Sequence, residues 1–122
     1  MKTDRRRGFG ERLRELRKKA EMTLGDVAEN LGVSVVYVSD VERGNRPPLR
    51  PDLIDKIAVV LKSDATDLHR LAAEVRGAFE VRTDRIPERA KEFMAGLARG
   101  DQYPDDFWEE LAQMAKKQKQ DT

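Results

Sequence analysis

Cysteine is missing from the 122 residues, and histidine occurs once, at His69. The first absence removes disulfides and thiolate metal sites, and the second argues against a histidine metal cluster or a Ser/His triad. No apolar run reaches the roughly 18 residues of a membrane-spanning helix, so no membrane partner is expected. The basic start Met1-Lys2-Thr3-Asp4-Arg5-Arg6-Arg7 lacks the apolar stretch of a secretory signal behind it. Gly8-Phe9-Gly10 lacks the preceding strand and the remaining glycines of a dinucleotide-binding loop. Together these gaps exclude an obvious enzyme, metal site or cofactor, and they suit a small binding module in a reducing cytoplasm.

Charge is plentiful, at 39% of residues, equal to the apolar share. It is uneven along the chain. Residues 1–20 hold nine Lys/Arg against three acids, a surplus of six, so with an overall charge of +1 the remainder carries −5. A basic end on a near-neutral chain suits contact with a polyanion. A solubilising N-terminal arm over residues 1–7, carrying Arg5, Arg6 and Arg7, explains the same charges equally well.

Apolar spacing predicts helices nearly throughout. Phe9, Leu13, Leu16 and Ala20 mark one face of a helix over about 8–20. Thr23, three residues before Asp26, has the capping-box pattern. It opens a short helix with Leu24, Val27, Ala28 and Leu31 inward and Gly32 as its stop. Ser34 caps a third helix, 34–43, with Val38 and Val41 inward. Pro51 or Asp52 opens a fourth, buried through Ile54, Ile57, Ala58 and Leu61. Ser63-Asp64 caps a fifth, with Leu68, Leu71, Ala72 and Val75 inward. Residues 77–84 read as a connector in which Phe79 and Val81 alternate as in a short strand. Pro87 starts a sixth helix that ends at Gly100, and Pro104-Asp105 starts a seventh whose tail, from 116 onward, is polar and frayed. The acids Asp105, Asp106, Glu109 and Glu110 suit the N-terminal end of that last helix through its dipole.

Residues 23–44 are the informative segment. Two short helices flank Gly32-Val33-Ser34, and Val27, Ala28, Leu31, Val33, Val38 and Val41 would lock them at a steep angle. That is a helix-turn-helix pattern, in which the second helix enters a DNA major groove. From Phe9 to about Val75 the chain resembles the lambda-repressor/Cro-type (XRE) helix-turn-helix family. Its strongest signature runs from Val33 to Gly44 and closes on Ser39-x-x-Glu42-Arg43-Gly44. Leu13, Arg17, Thr23, Pro48, Ile57, Ala58 and Leu61 add further matches.

The resemblance implies an all-α fold, with a five-helix DNA-binding domain over 8–76 followed by two more helices. It implies a structural ion pair between Arg17 and Glu42. Base-contacting positions fall on Val35, Val36, Tyr37 and Asp40. Valine can pack on a thymine methyl and an aspartate can accept from a cytosine amine, whereas Tyr37 could equally pack on the scaffold or touch phosphate. Phosphate-contacting positions fall on Ser34, Ser39, Arg43, Asn45, Arg46 and Arg50. The chain departs from the family at Val35, where glutamine is common, and at Leu24-Gly25, where the family often places a glutamine against phosphate.

The family implies a cytoplasmic, nucleoid-associated transcriptional regulator, most often a repressor, bound to double-stranded DNA as a homodimer on a palindromic operator. Region 77–122 then serves dimerisation or a regulatory protein partner, through Phe93, Met94, Phe107, Trp108 and Leu111. Packing of the same residues back on the domain is the plain alternative. The layout also resembles regulators of mobile elements and antitoxins, whose C-terminal helices meet a controlling metallopeptidase or a toxin.

Overall fold

The structure is a computed structural model describing residues 2–121, with the side chains of residues 5–120. The described residues form seven α-helices and one 3₁₀ turn, Thr83–Arg85, with no strand among them. The helices are α1 (Lys2–Lys19), α2 (Leu24–Leu31), α3 (Val35–Glu42), α4 (Pro51–Val60), α5 (Thr66–Arg76), α6 (Glu88–Arg99) and α7 (Asp105–Asp121). The chain divides after Glu80 into two compact units.

In the first unit, α1 packs on α3 and α5, α2 packs on α3 and α4, and α4 meets α5. Phe9 and Leu13 of α1 are fully buried, as are Val27 of α2, Val38 and Val41 of α3, Ile54 and Ile57 of α4, and Leu68 of α5. All belong to one core. Each such side chain contributes about 1.5–3 kcal/mol relative to exposure. The helix borders follow local chemistry. Thr23 Oγ1 accepts from Asp26 N–H at 3.0 Å, while Asp26 Oδ2 accepts from Thr23 N–H at 2.9 Å. Gly32 takes φ 71°, ψ 34°, and its N–H and that of Val33 satisfy the last carbonyls of α2. Ser34 Oγ then accepts from Tyr37 N–H at 3.0 Å, so only three residues separate α2 from α3.

Four local expectations change. The first helix starts at Lys2, so Arg5, Arg6 and Arg7 are turns of α1 and do not form a separate arm. Arginine is a good helix former, and Arg5 Nη1 donates to Glu74 O of α5 at 3.1 Å. Met1, the rest of the expected arm, lies outside the described residues. The fifth helix starts at Thr66, with Asp64 Oδ1 accepting the Thr66 N–H at 2.7 Å. Phe79 and Val81 are exposed and not in a strand, having no neighbouring strand to pair with among the described residues. Helix α7 continues to Asp121, through lysines and glutamines with good helix propensity. Thr122 lies outside the described residues.

The second unit is a helical pair. Phe93 of α6 meets Tyr103, Phe107 and Trp108 at ring-centre distances of 5.6, 6.1 and 6.1 Å. Tyr103 stacks on Phe107 at 4.5 Å, and Trp108 stands edge-on to Phe107 at 5.2 Å. No described apolar side chain of this unit is fully buried.

Candidate nucleic-acid interface

Burial of Val38 and Val41 turns the opposite side of α3 outward. Val35 is 47% exposed and Val36 65%. Two adjacent exposed valines bring no gain in solubility, which suits a contact surface. Tyr37 is half-buried and packs against the core, while Asp40 is partly covered. The structure therefore puts Val35, Val36, Tyr37 and Asp40 on or beside one face, with unequal freedom.

Asp40 is engaged. Its Oδ1 accepts from Arg43 Nη2 at 2.9 Å and its Oδ2 from Arg46 Nε at 3.3 Å. The Arg46 guanidinium carbon lies 5.5 Å from the centre of the Tyr37 ring, within cation–π range. Asn45 N–H donates to Asp40 O at 2.8 Å. Asp40 and Arg43 stand one turn apart, a pairing that helical spacing already allows, whereas the return of the loop adds Arg46.

Ser34, Arg43, Asn45, Arg46 and Arg50 are exposed around the ends of α3 and the loop behind it. Arg50 Nε lies 3.5 Å from Asp52 Oδ1. Ser39 is half-buried. The basic end of α1 comes to the same loop. A Cβ built on Gly44, whose φ is +78°, would stand 3.0 Å from the Arg7 nitrogen. The chain thus brings exposed Arg7 beside Gly44, a neighbourhood that no helical period reveals.

Beneath this surface lies a buried pair. Arg17 Nε donates to Glu42 Oε2 at 2.7 Å and Arg17 Nη2 to Oε1 at 3.1 Å. Arg17 Nη1 also donates to Met22 O at 2.9 Å. The hydrogen bonds to Glu42 hold the Arg17 guanidinium above its usual pKa against the opposing cost of burial. Gly10 permits this approach, because a Cβ there would stand 2.3 Å from Glu42 O. Farther along, Arg76 Nη2 donates to Leu49 O at 2.6 Å and Pro48 O at 3.1 Å, tying the α3–α4 loop to the end of α5. Leu49 is fully buried. Sequence periodicity missed it because it lies in an extended, proline-bounded loop.

Of the residues expected at the C-terminal contact, Phe93, Met94 and Phe107 are half-buried within their own unit. Trp108 and Leu111 are exposed, as is Met114. Tyr103, which the spacing did not single out, joins the ring cluster.

Five helices around one core, with α2 and α3 joined by a three-residue turn, define a helix-turn-helix domain. The chain belongs to that family: a model described as a helix-turn-helix domain matches residues 9–71. Among its relatives is the uncharacterized HTH-type transcriptional regulator RghRB of Bacillus subtilis, 32% identical over 88 residues, covering 72% of this chain and 58% of that one. The HTH-type transcriptional repressor RghR of the same organism is 35% identical over 74 residues, covering 61% and 55%. The HTH-type transcriptional regulator DdrOP3 of Deinococcus deserti is 29% identical over 104 residues, covering 85% and 78%. The chain spans a little over half the length of the two Bacillus relatives.

Proposed function

We propose that the chain is a sequence-specific DNA-binding transcriptional regulator, a repressor that inserts α3 into the major groove of a palindromic operator as a homodimer. The observation that carries this reading is the outward row Val35-Val36, bordered by Ser34, Arg43, Asn45, Arg46 and Arg50. The valines supply apolar contact to thymine methyl groups, with Tyr37 and Asp40 beside them. The serines, the asparagine and the arginines address phosphates, which set register and the salt dependence. Ser39, half-buried, contributes from the inner edge of that set. The names of the Bacillus and Deinococcus relatives support regulation of transcription, and that of RghR supports repression. The working site is then the cytoplasmic nucleoid.

One helix-turn-helix reads only a few base pairs, so two copies on half-sites about 34 Å apart supply the rest. The second unit suits this task. Its rings cluster without complete burial, and Trp108, Leu111 and Met114 stay outward. At about 40 residues, small units usually need oligomerisation or another staple. The same exposed residues would also serve a regulatory protein partner, such as a toxin or a controlling peptidase.

Fluorescence anisotropy tests the reading. The full chain is titrated against DNA upstream of its own gene and against a scrambled duplex, at about 50 to 200 mM salt. A preference of roughly 10³ or more with a palindromic footprint is expected. Weak binding without preference would overturn it.

A further inference from the structure

Asp40 stands on the face assigned to DNA, yet it brings a negative charge toward a polyanion. Its geometry accounts for this. Both carboxylate oxygens are occupied, one by Arg43 at 2.9 Å and the other by Arg46 at 3.3 Å. The carboxylate is the covered member of the cluster, with 21% of its side chain exposed against 64% for Arg43 and 51% for Arg46. An acceptor bond from Asp40 to a cytosine amine would have to use the acceptor sites that these arginines leave on its oxygens. The cations, in contrast, stay outward. Arg46 is held through Nε, and its guanidinium carbon lies over the Tyr37 ring. With Nε engaged, the two Nη groups of Arg46 are left to meet a phosphate in two parallel hydrogen bonds.

We propose that Asp40 is a positioning residue: its carboxylate holds Arg43 and Arg46 as a preformed pair for DNA phosphates, with the Tyr37 ring as the platform under Arg46. The proposal rests on the DNA-binding reading above and changes the part Asp40 plays in it. Arginine side chains lose much rotamer freedom when they are fixed. Fixing them before DNA arrives removes that cost from the binding step. Two guanidinium groups and one carboxylate still leave the cluster cationic. Asp40 therefore sets where the positive charge sits, and Val35 and Val36 are left to sense the bases.

The test uses the full chain and two duplexes, one recovered by the unaltered chain from a random pool and its scrambled counterpart. Binding is measured for Asp40→Asn in the unaltered background and in an Arg43→Ala/Arg46→Ala background. Asp40→Asn is expected to weaken both duplexes by the same factor, roughly two- to fivefold, as for loss of exposed ion pairs. The preferred base at every position stays the same, and the effect vanishes when the two arginines are absent. Tyr37→Leu forms a second arm, and its loss of affinity should depend on Arg46. A changed base preference in Asp40→Asn would overturn the proposal in favour of base reading. Tighter binding in both backgrounds would overturn it in favour of plain repulsion, and so would additive effects. If the unaltered chain recovers no preferred duplex, the DNA-binding reading itself falls and takes the proposal with it. If it does and the effects are additive, only the positioning role falls.

Discussion

Arg17 and Glu42 face each other through two hydrogen bonds, 2.7 and 3.1 Å long, with 11% and 5% of their side chains exposed. The pair joins the last turn of α1 to the last residue of α3. Glu42→Ala would strand a guanidinium in the interior, and Arg17→Ala a carboxylate. Either loss should cost about 3–5 kcal/mol. Replacing both partners together with apolar residues of similar size should cost much less than the sum. Urea unfolding of the two single variants and the double variant checks this, and additive losses would refute it.

Two glycines of α1 should respond in opposite ways. A Cβ on Gly10 meets Glu42 O at 2.3 Å and Val41 O at 2.5 Å, backbone atoms that cannot swing aside. Gly10→Ala should therefore push α1 off α3 and cost about 1–3 kcal/mol or more. At Gly8 a Cβ meets nothing within 4 Å. Gly8→Ala should stabilise the helix by about 0.5–1 kcal/mol. Thermal melting of both variants reads the contrast.

The start of α2 should lose support in acid. The Thr23 N–H bond, joined by the bond with its hydroxyl, holds the Asp26 carboxyl below the usual aspartate value, which is about 3.9. Asp67 is held low too, first by Arg70 and also by Arg12. Groups lowered in the fold bind protons more readily when unfolded. Their contribution is complete above the unfolded value and disappears as pH falls through the folded one. The stability gap between the unaltered chain and Asp26→Asn should thus be present at neutral pH and close well below pH 4. Urea midpoints across that range test the sign, and a gap that persists in acid would exclude the charge as its source.

Residues on the two sides of the candidate interface should fail differently. Val36→Ala should alter which base is preferred at one position, through loss of contact to a methyl group. Arg46→Ala should weaken every duplex and flatten the salt slope by about one. Anisotropy titrations at several salt concentrations separate these outcomes. An unchanged slope in Arg46→Ala would remove that arginine from the phosphate set.

Exposed Trp108 and Leu111 should report on assembly. Trp108→Ala and Leu111→Ala, or deletion of residues 101–122, should lower the dimer fraction in sedimentation while leaving the first unit folded. An unchanged profile would move the self-contact elsewhere.

The amino-acid sequence by itself determined the local elements. Val27, Ala28 and Leu31, then Val38 and Val41, recur at helical intervals. Thr23, Gly32 and Ser34 supply caps that act within a few residues, so α2, the turn and α3 were legible from neighbours alone. The resemblance carried by Val33 to Gly44 led to the same domain. Tertiary structure decided what links distant positions. It docked Arg5 on Glu74, carried Arg76 to Leu49 and brought Arg7 beside Gly44. It also returned the loop after α3 so that Arg46 joins Arg43, an i,i+3 neighbour, on the Asp40 carboxylate, where the family resemblance implied a base contact. The physical reason is range. Periodicity and capping act over three or four residues along one helix, whereas these contacts depend on how helices cross and how loops return.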